Sequence, residues 1–323
     1  MKKIGRGALI SLAVLTVLLS AAYLFRTPLM LQLVSLEGEP PLLDRDEVTL
    51  GDNELWADTF YTVEEITPGT FAIAEPLYHQ DVHSYLLVGS KRALLIDTGS
   101  PAGKIAPVVS SLTDKPVSVI SSHLHYDHVG NHDAFETILM PDLPHLRERV
   151  EDGVFTPTRN EHLGFVEGYD LPSWPVAGWW APDTELDLGD RQITLLSIPG
   201  HTPESIAVWD RQADQFFMGD YSGDGAIYAF MPNSSLRTYL ATTRRLVADL
   251  PETIKIYAAH GDARSGVPVT GLQSLRDLET ALAAFEDGTA RGSGFWPRAF
   301  TVNETTSILT DLPGPLSASR DLP

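Results

Sequence analysis

Residues Ser121–His132 read SSHLHYDHVGNH. Four of the chain's ten histidines and an aspartate fall within this stretch. It follows the apolar run PVSVI, which reads as a buried strand. The polar groups of interest lie at His123, His125, Asp127 and His128. On a strand, 123, 125 and 127 share one face and 128 does not. On a helix they scatter around the axis. A loop leaving a strand end, turning so that all four converge, meets the requirement. Imidazole nitrogen and carboxylate oxygen are good donors to zinc, so the segment predicts a metal site. His132 is left outside it.

Three later segments repeat the design of an apolar strand, then a donor with glycine beside it. They are SIPGHTPES with His201, FFMGDYSG with Asp220, and YAAHGD with His260. Glycine lets the backbone turn sharply or come close to an ion. The chain has no cysteine. That excludes disulfides, thiolate metal sites and cysteine nucleophiles. A metal here must be held by His, Asp and Glu, which points to zinc, iron or manganese. The formal net charge of −20 opposes phosphate backbones, so nucleic acid is not an expected partner.

The chain has 323 residues. Residues 1–36 read as a signal anchor or signal peptide. Lys2, Lys3 and Arg6 precede the uncharged Ala8–Phe25, which is long enough to reach across a bilayer. An uncleaved anchor is the favoured reading, so membrane attachment runs through residues 8–25. The basic end then stays cytoplasmic and the catalytic domain lies outside, periplasmic or extracellular, or is exported after cleavage. Residues 37–58 read as a linker, 59–290 as the catalytic domain, and 291–323 as an extension with a hairpin around Asn303–Glu304. Short strands come in two batches, each closed by helices at 105–112, 236–250 and 269–286, which predicts two packed sheets with helices outside.

The ordered set of motifs resembles the metallo-beta-lactamase superfamily. Asp97 in LLIDTG matches its first motif, His123, His125, Asp127 and His128 its second, and His201, Asp220 and His260 the third to fifth. The resemblance implies an α/β fold, an αββα sandwich of two mixed β-sheets with outer helices. It implies two zinc ions, with iron or manganese as alternatives. His123, His125 and His201 would hold the first ion, and Asp127, His128 and His260 the second. Asp220 would bridge both, and Asp97 would orient ligands by hydrogen bonds. Asp220 stands where the cysteine-type beta-lactamases have Cys, which argues against antibiotic hydrolysis. The wording between motifs is similar to the thioesterase, lactonase and glyoxalase II-like branches. The expected activity is therefore hydrolysis of a small-molecule carboxylic ester, thioester or lactone by a metal-bridging hydroxide. An acyl-homoserine-lactone-type lactonase, or an iron-dependent redox member, is the alternative.

Asp127 and Asp220 are expected to act in catalysis as well as ligation, and Tyr221 to donate to a developing oxyanion, with Tyr228 a weaker candidate. Trp174, Trp179 and Trp180 lie in a Pro- and Gly-broken loop that either caps its own core or walls a substrate site. His79 and His83 read as structural, with pocket lining the alternative. His145 and His162 carry no assigned role. The sequence does not set the oligomeric state.

Overall fold

Strands that are apolar on both faces need cover on both sides, and β5 (Ala93–Ile96) is such a strand, buried at every residue. The structure is a computed structural model, which describes residues 6–38, 40–261 and 266–310. Two helices come first, α1 (Arg6–Leu24) and α2 (Arg26–Val34). Among the described residues no single helix is long and apolar enough to cross a membrane. Ala13–Leu24 and Arg26–Val34 are so only together, across a bend of 71°.

The first sheet has the order β1 (Leu55–Trp56), β2 (Thr62–Thr67), β3 (Thr70–Ala74), β4 (His83–Val88), β5 and β6 (Val117–Ile120). It is antiparallel as far as β5. Then α3 (Ile105–Leu112) carries the chain over to β6, which pairs with β5 in parallel. Strand β1 falls inside the stretch expected to be linker.

A connecting region follows. It holds α4 (Tyr126–Val129), β7 (Leu139–Pro141), α5 (Pro144–Arg147), β8 (Val154–Phe155), α6 (Arg159–His162), β9 (Trp174–Pro175) and β10 (Gly178–Trp180). Here β7 pairs with β10 and β8 with β9.

The second sheet repeats the plan of the first. Strands β11 (Glu185–Asp187), β12 (Gln192–Ser197), β13 (Ile206–Asp210) and β14 (Gln215–Phe217) form an antiparallel meander. The chain then makes β15 (Gly225–Tyr228) and α7 (Leu236–Asp249) before β16 (Lys255–Tyr257) joins β14 in parallel. Strand β17 (Val269–Thr270) closes the edge. The helix expected from 269 begins later, as α8 (Leu272–Glu286), because Gly271 is extended and Val269–Thr270 are taken up by the sheet. Beyond it, β18 (Arg298–Thr301) and β19 (Thr306–Thr310) pair antiparallel around Asn303–Glu304, and β19 also pairs with β15.

Side-chain alternation sorts the layers. Tyr85, Leu87, Leu94 and Ile96 of the first sheet pack on Ile193, Leu195, Val208 and Phe217 of the second. Leu86, Leu95 and Val119 point the other way, onto Ile105, Val108 and Val109 of α3. Trp209, Phe216 and Ile256 cover the outer face of the second sheet beneath Leu240, Leu246, Leu275 and Leu278 of α7 and α8. The molecule is thus an αββα sandwich. Each fully buried side chain of this kind contributes about 1.5–3 kcal/mol relative to exposure.

Candidate metal centre

The strands β5 and β6 run parallel, and β12, β14 and β16 share one direction because β13 runs back between the first two. Asp97 follows β5, the His123 segment follows β6, and His201, Asp220 and His260 follow β12, β14 and β16. After β6 the chain bends at Ser122, His123 and His125 and then enters α4 at Tyr126. This change of conformation divides the cluster. His123 and His125 leave from the bent loop, while Asp127 and His128 leave from one helical turn.

Two groups of donor atoms result: His123, His125, His201 and Asp220 in one, Asp127, His128 and His260 in the other. In the first, His125 Nδ1 lies 2.8 Å from His123 Nε2 and 3.3 Å from His201 Nε2. Asp220 Oδ2 is 3.9 Å from His123 Nε2 and 3.8 Å from His201 Nε2. In the second, Asp127 Oδ2 is 3.6 Å from His128 Nε2 and 3.4 Å from His260 Nε2. The other oxygen of Asp220, Oδ1, is 3.2 Å from both of those nitrogens. One carboxylate therefore faces both groups, with one oxygen each. His128 Nε2 and Asp220 Oδ1 are buried and make no hydrogen bond, which is costly for polar atoms that bind nothing. Their lone pairs and the surrounding donors suit divalent cations.

The electrostatics of the groups differ. Burial pushes the His123 and His201 pKa values down, and that of His125 to about 3, so these imidazoles are neutral donors. Burial also disfavours charge on His128 and His260, but Asp220 and Asp127 outweigh it and raise both above the ordinary value. Burial would raise the Asp127 carboxyl, yet His128 and His260 outweigh it and hold it at about 2.

Outer contacts fix the ligands. Asp97 accepts hydrogen bonds from the Ser122 amide at 2.5 Å, the Ser122 hydroxyl at 2.8 Å and His128 Nδ1 at 2.9 Å. With Nδ1 held by Asp97, Nε2 is the His128 nitrogen turned toward the donor groups. His260 Nδ1 donates likewise to the Gln80 carbonyl at 2.9 Å. Gly219, next to Asp220, has φ +56°, and a Cβ there would lie 2.4 Å from Ser122 Oγ. Only glycine satisfies both that backbone and that contact.

Residues 78–260 match the family model for the metallo-beta-lactamase superfamily. The chain belongs to this superfamily. A Gallus gallus protein described as acyl-coenzyme A thioesterase MBLAC2 is 27% identical over 206 residues, 55% of this chain and 72% of that one. The probable metallo-hydrolase YqgX of Bacillus subtilis is 24% identical, across 63% of this chain and 93% of its own. A solved metallo-beta-lactamase from Pontibacter korlensis superposes with a TM-score of 0.51 at 19% identity, covering 69% of this chain and 99% of that one. The latter likeness shows the metallo-beta-lactamase fold.

On this superfamily scaffold a cavity of about 430 Å³ opens over the donor atoms, and His125, Asp127, His201, Asp220 and His260 border it. That volume suits a small-molecule ligand. Tyr221 does not reach the cavity. It is 1% exposed, and its hydroxyl donates to the Tyr239 carbonyl at 3.0 Å and meets Thr243 Oγ1 at 2.8 Å. The oxyanion donor expected at this position is thus absorbed into the core beneath α7. Tyr228 does line the cavity. The tryptophans do not border it. Trp174 packs on His132 and Phe155, the Trp180 indole donates to the Thr184 carbonyl, and Trp179 lies under the Arg147 guanidinium. His132 is held by Thr98 Oγ1 at 2.8 Å. His83 is buried with Nδ1 on the Asp81 carbonyl. His162 is buried near the Tyr126 ring, and His145 lies exposed on α5.

His79, for which pocket lining is the alternative reading, does border the cavity while His83 does not, but sequence reasoning missed the polar cluster that His79 joins there. Glu167 accepts from Tyr126 at 2.6 Å and from Tyr78, and pairs with His79 Nε2 at 2.8 Å. Tyr126 lies between two ligands in sequence, and an aromatic between ligands is the one local signal of it. Glu167 gives none, since its partners are 41 to 89 positions away.

Proposed function

We propose that this chain is a dinuclear zinc hydrolase that cleaves a carboxylic ester, thioester or lactone. The observation that carries it is the two-sided placement of Asp220 between two complete donor groups. His123, His125 and His201 would hold one ion, Asp127, His128 and His260 the other. Two such ions supply Lewis acidity toward a carbonyl and a water-derived nucleophile at neutral pH. The chain's part is to position and to exclude. Asp97 and the Gln80 carbonyl fix the His128 and His260 rings. Asp127 borders the cavity as an ionised carboxylate and could take a proton released on attack. The likeness to a protein described as an acyl-coenzyme A thioesterase favours acyl transfer to water over phosphodiester cleavage.

Metal content and turnover of a panel of aryl esters, thioesters, lactones and phosphodiesters test this reading. Two zinc per chain and acyl hydrolysis are expected. Asp220→Ala should lose at least one ion and about a thousandfold in kcat/KM, since it removes charge stabilisation at both ions. Fewer than two ions per chain, with acyl hydrolysis unaffected by Asp220→Ala, would sink the proposal. One iron and no hydrolysis would point to redox chemistry instead.

A further inference from the structure

The cavity has an apolar side, and the N-terminal helix pair completes it. Leu31 of α2 lines it with Leu163, Val166 and Met231. Leu31 is 4% exposed and packs with Tyr78, Val82 and Tyr126. The opposite face of α2 has no cover: Leu29 and Leu33 are exposed, as is Leu36 in the turn that follows. So are Val14, Val17, Leu18 and Leu24 of α1, in a run without a charged residue from Ala8 to Phe25. Contiguous apolar surface of this kind marks a binding face.

A string of aromatic rings runs outward from the same cavity. Tyr228 lines the cavity and is 47% exposed. Its ring is 5.9 Å from Phe230, which is 5.7 Å from Trp296. Phe295 beside it is 93% exposed. The Arg26 guanidinium, at the start of α2, lies 4.1 Å from the Tyr23 ring centre and 5.9 Å from that of Trp296. Aromatic rings and an arginine at the edge of apolar helices are the composition of a membrane–water interface.

We infer that a lipid bilayer covers α1 and the outer face of α2, that the cavity mouth sits at the interface, and that the substrate is a long-chain acyl ester or thioester entering from the lipid. Its chain lies against Leu31, Leu163, Val166 and Met231. Water breaks the acyl C–O or C–S bond, giving a carboxylic acid and an alcohol or thiol. The bond cleaved rests on the function proposed above; the acyl site does not. A bilayer fits this face better than a second copy because Lys2, Lys3 and Arg6 precede the uncharged run, as at a membrane surface.

The absence of cysteine allows single labels in the full chain. Phe295→Cys and Asp190→Cys would each carry a fluorophore in phosphatidylcholine vesicles containing nitroxide lipid. Asp190 is exposed in the β11–β12 turn, at the far end of β12 from His201. Quenching at 295 and not at 190 is expected. A label at 295 that is unquenched, or shielded yet unquenched as in a contact between copies, overturns the inference. In parallel, binding of a fluorescent non-hydrolysable long-chain alkyl ether is measured. Leu31→Glu should weaken it about tenfold or more, by placing a charge against the chain. Leu31→Ala, checked for full metal content, should weaken it about threefold by loss of apolar contact. Unchanged binding in a correctly metallated variant overturns the inference. If both results hold but no ester or thioester is cleaved, the hydrolase reading alone fails and the lipid-facing acyl site stands.

Discussion

His123, His125 and His201 are 2%, 7% and 4% exposed; in the second group Asp127 and His128 are buried as well, and the His260 side chain keeps 25% of its surface open. The first group sets three imidazoles facing one another, with a carboxylate oxygen nearly 4 Å away. The second interleaves two imidazoles with two carboxylate oxygens at 3.2–3.6 Å. Burial, with the neighbouring imidazoles adding to it, keeps protons off the first group, so it offers bare lone pairs. Opposite groups hold protons, so an ion entering the second group must displace them. Sharing Asp220 does not make the two positions equal. Both border the cavity, and what separates them is the charge their donors carry.

The sharpest way to break this comparison is to delete one ligand from each side. His201→Ala should leave the first group short of a donor and lower kcat/KM by roughly a thousandfold. His260→Ala, at the donor most open to solvent, should release the second ion first and lower it by roughly a hundredfold or more. Metal stoichiometry under dilute chelator reads the order of loss. Equal losses in the two variants would remove the distinction. Asp97→Asn acts directly on the second group through His128 and only by way of Ser122 on His123 of the first, and should cost about 10–100-fold in affinity for the second ion. Stepwise metal titration followed by calorimetry measures it.

Support beneath the first group can be probed by pH. Glu204, on the loop after His201, is buried with both oxygens unpartnered, and burial raises its pKa to about 7. The folded chain keeps this proton when the unfolded chain has released it. Stability from this group therefore falls as pH rises from about 4.5 to about 7. Glu204→Gln should be more stable than the parent at pH 8 by roughly 1–3 kcal/mol, with little difference near pH 4.5. Denaturant unfolding at the two pH values reads the effect, and a gain that is the same at both would contradict the protonation account. The smallest effect is expected at Tyr221. Removing its hydroxyl as Tyr221→Phe should cost about 1 kcal/mol of stability and leave kcat near the parent value. A hundredfold fall in kcat would return that hydroxyl to the chemistry.

The same contrast explains what could be read from the sequence. The donor set was legible because each donor follows a strand end directly and four of them lie in six consecutive residues. The two-sheet architecture was legible from apolar runs bounded by turns. The direction of Tyr221 was not, because it follows Asp220 in sequence yet a turn at Gly219–Tyr221 sends its hydroxyl beneath α7. The tryptophan loop offered large rings without saying what they would meet, and they met His132, Phe155 and Arg147. The Glu167 cluster and the packing of Leu31 depend on residues far apart in the chain, where no local spacing records the partner.

Both donor groups draw on both halves of the sandwich. His123, His125, Asp127 and His128 come from the first sheet, and His201, Asp220 and His260 from the second. The centre is therefore a clasp between two layers whose other bond is largely greasy contact. A bound ion would hold the layers in register and raise the folding free energy by an amount set by its free concentration. In a metal-starved compartment, the chain would lose its chemistry and its firmness together.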